Sequence, residues 1–248
     1  MSHPEAAAAP ALDLREKGAP KDGAVQAMDR RLFVQLTAFG GCRDAAALGA
    51  ALGAAPGVER VVYEDANDPS GVAILAMSED ADLLMTRHRR DLNSAAFSGL
   101  SPKPEYAMLG RTYSLGYEPR LEDWLLHRPR RVCLDPAWPW AVWYPLRRTG
   151  AFARLPRAEQ MQMLKEHGNI GRLFGDAGVA QDMRLACHGL DKNDNDFVIG
   201  LIGRQLAALS QLVEAMRPTV QTSEYLENLG PFFVGRAVWR SPVPEASK

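Results

Sequence analysis

Stretches with the two-residue period of a β-strand alternate along the chain with stretches that have the period of an α-helix. In the first half, GVAILAM is continuously apolar, which is typical of a central strand. Ser78, just ahead of acidic residues, suits the start of a helix. The predicted strands are residues 32–39, 58–64, 71–77 and 106–115, and the predicted helices are residues 45–54 and 79–93. This order predicts a ferredoxin-like βαββαβ unit.

The same order of elements returns in the second half of the chain. The predicted strands are residues 140–147, 183–188, 197–202 and 232–239, with one helix that begins at Pro156 and another over residues 205–216. We therefore predict an α+β fold in which two ferredoxin-like βαββαβ halves form a dimeric α+β barrel-like core. The predicted parts are a disordered N-terminal tail (1–28), an N-terminal half (29–117), a connector (118–139) with a short helix at 121–127, and a C-terminal half (140–248).

Composition removes several classes of function from consideration. The net charge of −1 over 248 residues gives no basic footprint for nucleic acid. No apolar run is long enough to cross a membrane, and the N-terminus lacks the apolar core of a signal peptide. The cysteines Cys42, Cys133 and Cys187 lie far apart, which predicts no disulfide framework or zinc site and favours a cytoplasmic location.

Candidate chemistry is concentrated at the predicted strand 140–147. Val142, Tyr144 and Leu146 share one face of this strand, because side chains alternate, and Arg147 and Arg148 close it. Proline cannot donate to a sheet ladder, so the proline after Tyr144 predicts a strand edge or a bulge.

A histidine lies on the apolar side of the helix that follows Pro156. Two interpretations of His167 stand side by side: a core histidine bonded to a backbone carbonyl, or an axial ligand of a haem iron. Tyr144 is likewise either a buried strand tyrosine or a polar group beside a bound anionic macrocycle. The apolar stripe consists of Met163, Leu164, His167, Ile170, Gly171 and Phe174, and the glycine would leave room for a flat ligand.

Motifs of the second half carry a family resemblance. They are Tyr144-Pro145-Leu146, Glu166-His167-Gly168 with Ile170-Gly171-Arg172, Gly189-Leu190-Asp191, Glu214-Ala215-Met216-Arg217 and Gly230-Pro231-Phe232-Phe233-Val234-Gly235. In this order they resemble the chlorite dismutase-like haem protein family. The resemblance is strongest to its coproheme decarboxylase branch, the hydrogen-peroxide-dependent haem synthases.

The resemblance implies an enzyme that oxidatively decarboxylates two propionates of iron coproporphyrin III (coproheme) to vinyl groups and so makes haem b. Coproheme is then both substrate and redox centre, and a tyrosyl radical carries the reaction. Carried over by position, His167 is the axial iron ligand and Tyr144 the radical site. Arg148 falls near a propionate, with Arg147 beside it. Thr222 or Ser223 matches a propionate-binding serine.

The distal side of the implied haem site is less well defined by sequence. Gln181 is the best match to the distal glutamine of this branch, and Asp182 also fits. Chlorite-degrading members have a distal arginine there, and the nearest arginine, Arg184, is out of register. Phe152 stands where the family often has a tryptophan.

The resemblance also implies partners: coproheme and hydrogen peroxide as reactants, a ferrochelatase as donor, and a homo-oligomer that forms a ring of five. Three alternatives remain open at this point. One is a chlorite dismutase or weak haem peroxidase on the same scaffold. Another is a non-catalytic haem carrier or sensor. The third is a barrel of the cofactor-free monooxygenase type.

Overall fold

The computed structural model of the chain describes residues 12–242, and it begins with a β-hairpin. Strands β1 (Glu16–Lys21) and β2 (Ala24–Met28) pair antiparallel. The Gln26 side chain donates to the Glu118 carbonyl at 3.2 Å and so fixes the hairpin to the connector. The prediction of a disordered tail over residues 1–28 is therefore wrong for residues 16–28. Residues 1–11 lie outside the described part of the chain.

The first half is ferredoxin-like, as predicted. Its strands pair antiparallel in the spatial order β7-β3-β5-β4, in which the two outer strands of the sheet are the fourth and the second along the chain. The elements are β3 (Phe33–Gly40), α1 (Ala45–Leu52), β4 (Glu59–Asp65), β5 (Val72–Ser78), α2 (Ala81–Leu83), a π-helical turn (Leu84–His88), α3 (Arg89–Leu92), β6 (Ser101–Pro102) and β7 (Met108–Thr112).

The second half repeats this arrangement, with the strand order β12-β8-β10-β9. Its elements are α4 (Arg128–Leu134), preceded by a π-helical turn (Asp123–His127), then β8 (Trp140–Arg148), α5 (Gly150–Arg154), α6 (Arg157–Asp176), β9 (Ala180–Ala186), β10 (Phe197–Gly203), α7 (Leu206–Met216), α8 (Val220–Tyr225), β11 (Leu226–Leu229) and β12 (Phe233–Arg240). The connector thus holds a longer helical segment than the predicted residues 121–127.

The two sheets join into one closed barrel. β7 pairs with β9 at Thr112↔Leu185, and β4 pairs with β12 from Asp65↔Gly235 to Val61↔Arg240. Eight strands therefore form a continuous ring, since each half contributes its second and fourth strands to the two seams. The predicted α+β barrel-like core of two ferredoxin-like halves is confirmed. None of the helices within residues 12–242 has the length and apolar character needed to cross a membrane.

Strand β8 shows how side chains are shared between the two faces of the barrel wall. Ala141 and Trp143 are fully buried and point into the barrel, whereas Val142, Tyr144 and Leu146 point outward beneath the helices of the second half. Pro145 lies where the neighbouring strand breaks between β11 and β12, which agrees with the predicted bulge.

Trp143 fills the barrel only because a glycine stands opposite it. A Cβ atom added to Gly200, its partner on β10, would lie 2.4 Å from two ring carbons of Trp143. We expect Gly200→Ala to lower the free energy of unfolding by about 1–3 kcal/mol, because an overpacked core must shift. Denaturant unfolding followed by circular dichroism measures this change.

Gly168→Ala is the control for this substitution, because a Cβ added there meets nothing within 4 Å. At this helical position the change should be neutral or stabilising by up to about 1 kcal/mol. Equal stability of both variants would show that the Trp143 contact is not tight.

A second buried feature lies under the helices of the first half. His88 is 0% exposed, and neither of its ring nitrogens has a hydrogen-bond partner among residues 12–242. Arg60, also fully buried, donates to Asp91 at 2.6 Å and to the Leu52 carbonyl at 3.3 Å. Burial, together with the positive charge of Arg60, lowers the pKa of His88 to about 4, although Asp91 acts in the opposite direction. His88 is therefore neutral in the folded protein.

This histidine should make folding stability depend on pH. The unfolded chain binds a proton at His88 below pH 6.5 while the folded chain stays neutral down to about pH 4. As the pH is lowered between these values, stability should therefore fall by about 1.4 kcal/mol for each pH unit. The comparison is wild type against His88→Leu in urea titrations across that range. Identical pH slopes in the two proteins would contradict a neutral buried His88.

Candidate functional site

The outer face of β9, β10 and β8 carries an unusual row of side chains. Arg184 pairs with Ile199, and Ile199 pairs with Tyr144, so the three residues cross three strands in one line. Paired residues of antiparallel strands point to the same side, which sets Arg184 and Tyr144 about 10 Å apart on one face. Arg148 lies on this side too, since it follows Tyr144 by four residues. We call this surface the α6 face, after the helix that lies over it.

Helix α6 covers this face without packing tightly on it. Its 20 residues include none that is buried, whereas α7 buries Leu209 and Leu212 against the same sheet. The predicted apolar stripe is present, and its members are all half-buried: Met163, Leu164, His167, Ile170, Gly171 and Phe174. On the sheet, Ile199 and Phe197 are also only half-buried. Gly171 packs against α7, because a Cβ added there would lie 3.5 Å from the Met216 side chain, which is van der Waals contact.

His167 is neutral in this setting. Burial lowers its pKa to about 4, and the positive charges of Arg148 and Arg184 lower it further, against the opposing effect of Asp182 and Glu166. These charges act on the imidazole because their side chains lie around the same face. A neutral imidazole has a free lone pair on one ring nitrogen, which is the form that binds a metal.

Thr219 is the hydrogen-bond partner of His167 Nδ1, with 3.3 Å between Nδ1 and the threonine hydroxyl oxygen. The hydroxyl has a single proton, and two other acceptors lie within its reach, the Met216 carbonyl at 2.8 Å and the Thr222 hydroxyl at 3.1 Å. When the proton is donated to either of these, the threonine oxygen accepts from Nδ1, and Nε2 keeps the lone pair. This is the arrangement in which an axial histidine is oriented by its other nitrogen.

Tyr144 is held by an aromatic neighbour from the glycine–proline–phenylalanine motif. The Phe232 ring stacks on the tyrosine with centroids 4.5 Å apart and planes 23° apart. Tyr144 is 6% exposed, and burial raises the pKa of its phenol well above the ordinary value; Asp182 adds to this rise and Arg217 opposes it. The phenol is thus protonated at neutral pH, as a hydrogen-atom donor must be.

The two arginines at the end of β8 have different surroundings. Arg148 stacks over the rings of Phe152 and Phe197 at 4.8 and 4.6 Å. Its guanidinium has no carboxylate within salt-bridge distance among residues 12–242, and its Nε is buried without a partner. Burial lowers its pKa. A half-buried guanidinium without a carboxylate partner is suited to an anionic ligand such as a propionate.

Arg147 points away from the α6 face, because it alternates with Arg148. Its guanidinium contacts Asp194 at 3.1 Å and Glu227 at 3.5 Å. The expected role of Arg147 beside a propionate therefore finds no support in its position.

Gln181 and Asp182, the two candidates for the distal residue, also point to opposite sides of the sheet. Gln181 pairs with Ile202, which points into the barrel, so Gln181 lies on the opposite side from Tyr144 and accepts from Arg128 at 2.9 Å. Asp182 and Arg184 lie on the α6 face instead. Of the two distal candidates only Asp182 shares a face with Tyr144, so strand alternation favours Asp182 over Gln181. Arg184 shares that face as well.

Thr222 and Ser223 both lie at the α8 end of the site. The Thr222 hydroxyl is 3.1 Å from that of Thr219 and is half-buried, whereas Ser223 is exposed and donates to the Thr219 carbonyl at 3.0 Å. Thr222 is thereby the closer of the two to His167.

Arg184, Thr219 and Phe232 were missed as site residues by the sequence predictions. A period-two signal for Arg184 was present, because Asp182 and Arg184 alternate with the apolar Met183 and Leu185. The predicted strand began at residue 183, one residue too late to include Asp182. Thr219 had no comparable signal, since a helix-end threonine is most often a cap.

The comparisons with known proteins agree on one family. The family model described as chlorite dismutase matches residues 54–238, well over half of the chain. A haem-binding protein from Thermus thermophilus has a similar structure, with a TM-score of 0.65 at 19% identity over 84% of this chain and 91% of that one. Chlorite dismutase from Candidatus Nitrospira defluvii in complex with imidazole gives a TM-score of 0.66 at 13% identity over 88% and 94%. No curated protein sequence matches the chain significantly.

If Thr219 orients His167, its removal should weaken iron porphyrin binding without unfolding the protein. We expect Thr219→Val to lower the affinity for added ferric haem by about 10-fold or more, the usual cost of losing the partner of a ligating histidine. Thr219→Ser keeps the hydroxyl and should retain the wild-type affinity. Soret titrations measure both, and the iron–histidine stretching frequency of the ferrous form should shift in the valine variant only. Wild-type values in Thr219→Val would refute the role.

Proposed function

Because the chain belongs to the chlorite dismutase family, we propose that it holds an iron porphyrin between α6 and the α6 face and oxidatively decarboxylates coproheme to haem b. The observation that supports this most directly is that helix α6 carries a histidine over the face that bears a tyrosine and an arginine. These are a stacked, protonated Tyr144, an unpaired Arg148 and a neutral His167.

The residues of this face fit such a group chemically. Half-buried apolar side chains on both the helix and the sheet match a flat apolar macrocycle. The buried, partnerless Nε of Arg148 matches a propionate, and His167 Nε2 offers the axial lone pair. α1, the corresponding first helix of the N-terminal half, has four buried residues and no comparable face.

On this proposal each side chain has a defined task. His167 binds the iron, and because a hydroxyl rather than a carboxylate orients it, it is a weak electron donor. Arg148 binds a propionate, and Arg217, 5.9 Å from the Phe232 ring, is close enough to the tyrosine to serve another. Phe232 stacks on the Tyr144 ring and fixes its orientation. The Tyr144 hydroxyl therefore approaches the propionate from one defined direction.

Hydrogen peroxide and the bound iron supply the oxidising equivalents, two for each propionate. Tyr144 gives up its phenolic proton and one electron, and then takes a hydrogen atom from the β-carbon of the propionate. Loss of a second electron and of carbon dioxide leaves a vinyl group. For each propionate, one peroxide and one proton are consumed, and one carbon dioxide and two waters are released.

A second candidate function has a specific observation in its favour. Arg184 lies on the α6 face in line with Tyr144, and chlorite-degrading members, which this chain resembles, have a distal arginine. Chlorite dismutation therefore remains the alternative reaction of the same site. Tyr144 would have no role in it, which separates the two candidates experimentally.

The implied partners are part of the same proposal. A ferrochelatase is the enzyme class that makes coproheme, so it is the expected donor of this substrate. A homo-oligomer, in the form of the five-membered ring, follows from the family resemblance, and analytical ultracentrifugation would measure its size.

Tyr144→Phe tests the reaction. We expect the wild-type protein loaded with ferric coproporphyrin to lose two carboxyl groups stepwise as peroxide is added, as followed by mass spectrometry. Tyr144→Phe should bind the porphyrin with the same Soret band but release no carbon dioxide, because phenylalanine has no hydrogen atom to give. Tyr106→Phe, on the opposite side of the barrel wall against Phe233, is the matched control and should react like the wild type.

The other outcomes discriminate among the alternatives. Oxygen release from chlorite that persists in Tyr144→Phe would identify a chlorite dismutase. Tight binding with neither reaction would identify a haem carrier or sensor. Lack of any Soret band would reject the haem proposal altogether.

A further inference from the structure

The α6 face holds a carboxylate that the proposed reaction does not use. Asp182 pairs with Leu201, which pairs with Val142, so it lies one row from Arg184 and Tyr144 on the same side of the sheet. Its side chain is 33% exposed and that of Arg184 is 28% exposed. Both groups are therefore accessible to a small ligand from this face.

Asp182 lies within ion-pair distance of two arginines. Its Oδ2 lies 3.1 Å from Arg184 Nε, and its Oδ1 lies 3.0 Å from Arg128 Nη2. Arg128 also donates to the Asp182 carbonyl at 2.8 Å. This bond fixes Arg128 to the part of β9 that is not paired with β7. Burial raises the pKa of Asp182, but Arg184 and Arg128 outweigh burial and leave the pKa below the ordinary value. Asp182 is thus a charged partner of Arg184.

An aromatic ring fixes the same two arginines. The guanidinium carbons of Arg128 and Arg184 lie 4.8 and 4.9 Å from the Trp124 ring centre. Trp124 is itself anchored, because its Nε1 donates to the Tyr113 carbonyl at 3.0 Å. Arg184 is therefore held by a carboxylate and by an aromatic face together.

We propose that Asp182 is a specificity-determining positioning residue, which holds the Arg184 guanidinium against Trp124 and masks its charge from anionic oxidants, so that the site favours neutral hydrogen peroxide over chlorite. This rests on the proposed function, since it assigns the choice of oxidant at the same iron porphyrin. An arginine paired in this way offers little net positive charge to an incoming anion, whereas a free one attracts it strongly.

Fluoride binding to the ferric protein tests the proposal without turnover. With haem b loaded, Asp182→Asn should bind fluoride roughly tenfold more tightly than the wild type, because one unmasked charge is added beside the ligand. Asp182→Glu should behave like the wild type. Adding Arg184→Gln to Asp182→Asn should remove the gain. The optical change on fluoride addition gives the dissociation constant.

Asp194→Asn is the matched control. It removes the same charge from an arginine pair, with Arg147, on the other side of β8, and should leave fluoride affinity unchanged. If Asp182→Asn alone does not fold, the double variant Asp182→Asn/Arg184→Gln decides: it removes one positive and one negative charge together, so fluoride affinity should change less than about threefold from the wild type.

Each remaining outcome has a defined meaning. Unchanged or weaker fluoride binding in folded Asp182→Asn, or a large loss of fluoride affinity in the double variant Asp182→Asn/Arg184→Gln, overturns the masking role while leaving the decarboxylase proposal intact. Failure of the wild type to take up ferric porphyrin rejects the proposed function and this inference with it.

Discussion

Strand β8 is paired along both edges, and this constraint determines where the chemistry can occur. β10 binds one edge from Trp140 to Leu146, and β12 and β11 bind the other in succession. A strand fixed on both sides cannot slip, because a one-residue shift would exchange the buried Trp143 with Tyr144. The barrel core thereby sets the direction of Tyr144 and Arg148, and Gly200 is what lets Trp143 occupy the barrel.

The two halves share a topology but use their outer faces differently. In the first half, α1 is short and packs closely, with Gly49 against Trp239 of the other half, and the faces beneath the helices are filled by apolar side chains. In the second half, α6 is long, has no fully buried residue and bears His167 within its half-buried apolar stripe. The first half therefore completes the barrel and supports it, and the second half carries the site.

Charge around the site is arranged by pairing. Arg147 is paired with acidic residues outside the α6 face and Arg184 with Asp182 on it, whereas the Arg148 guanidinium stacks on aromatic rings and has no carboxylate within salt-bridge distance among the described residues. An unpaired guanidinium beside a neutral histidine gives an anchor for a carboxylate. The pairing of Arg184 with Asp182 limits how strongly that part of the face attracts small anions.

Periodicity along the chain predicted the fold class, the apolar stripe of α6 with His167 within it, and the common face of Val142, Tyr144 and Leu146. These are local properties, since they follow from the period of the side chains along one element. Periodicity did not predict that residues 16–28 form a hairpin, because the Gln26 contacts that hold it come from a segment far along the chain. Only the tertiary structure shows that the common face points outward, that Asp182 rather than Gln181 shares it, and that Thr219 contacts His167. These three depend on register and on contacts between distant elements, which a single sequence does not encode in its periodicity.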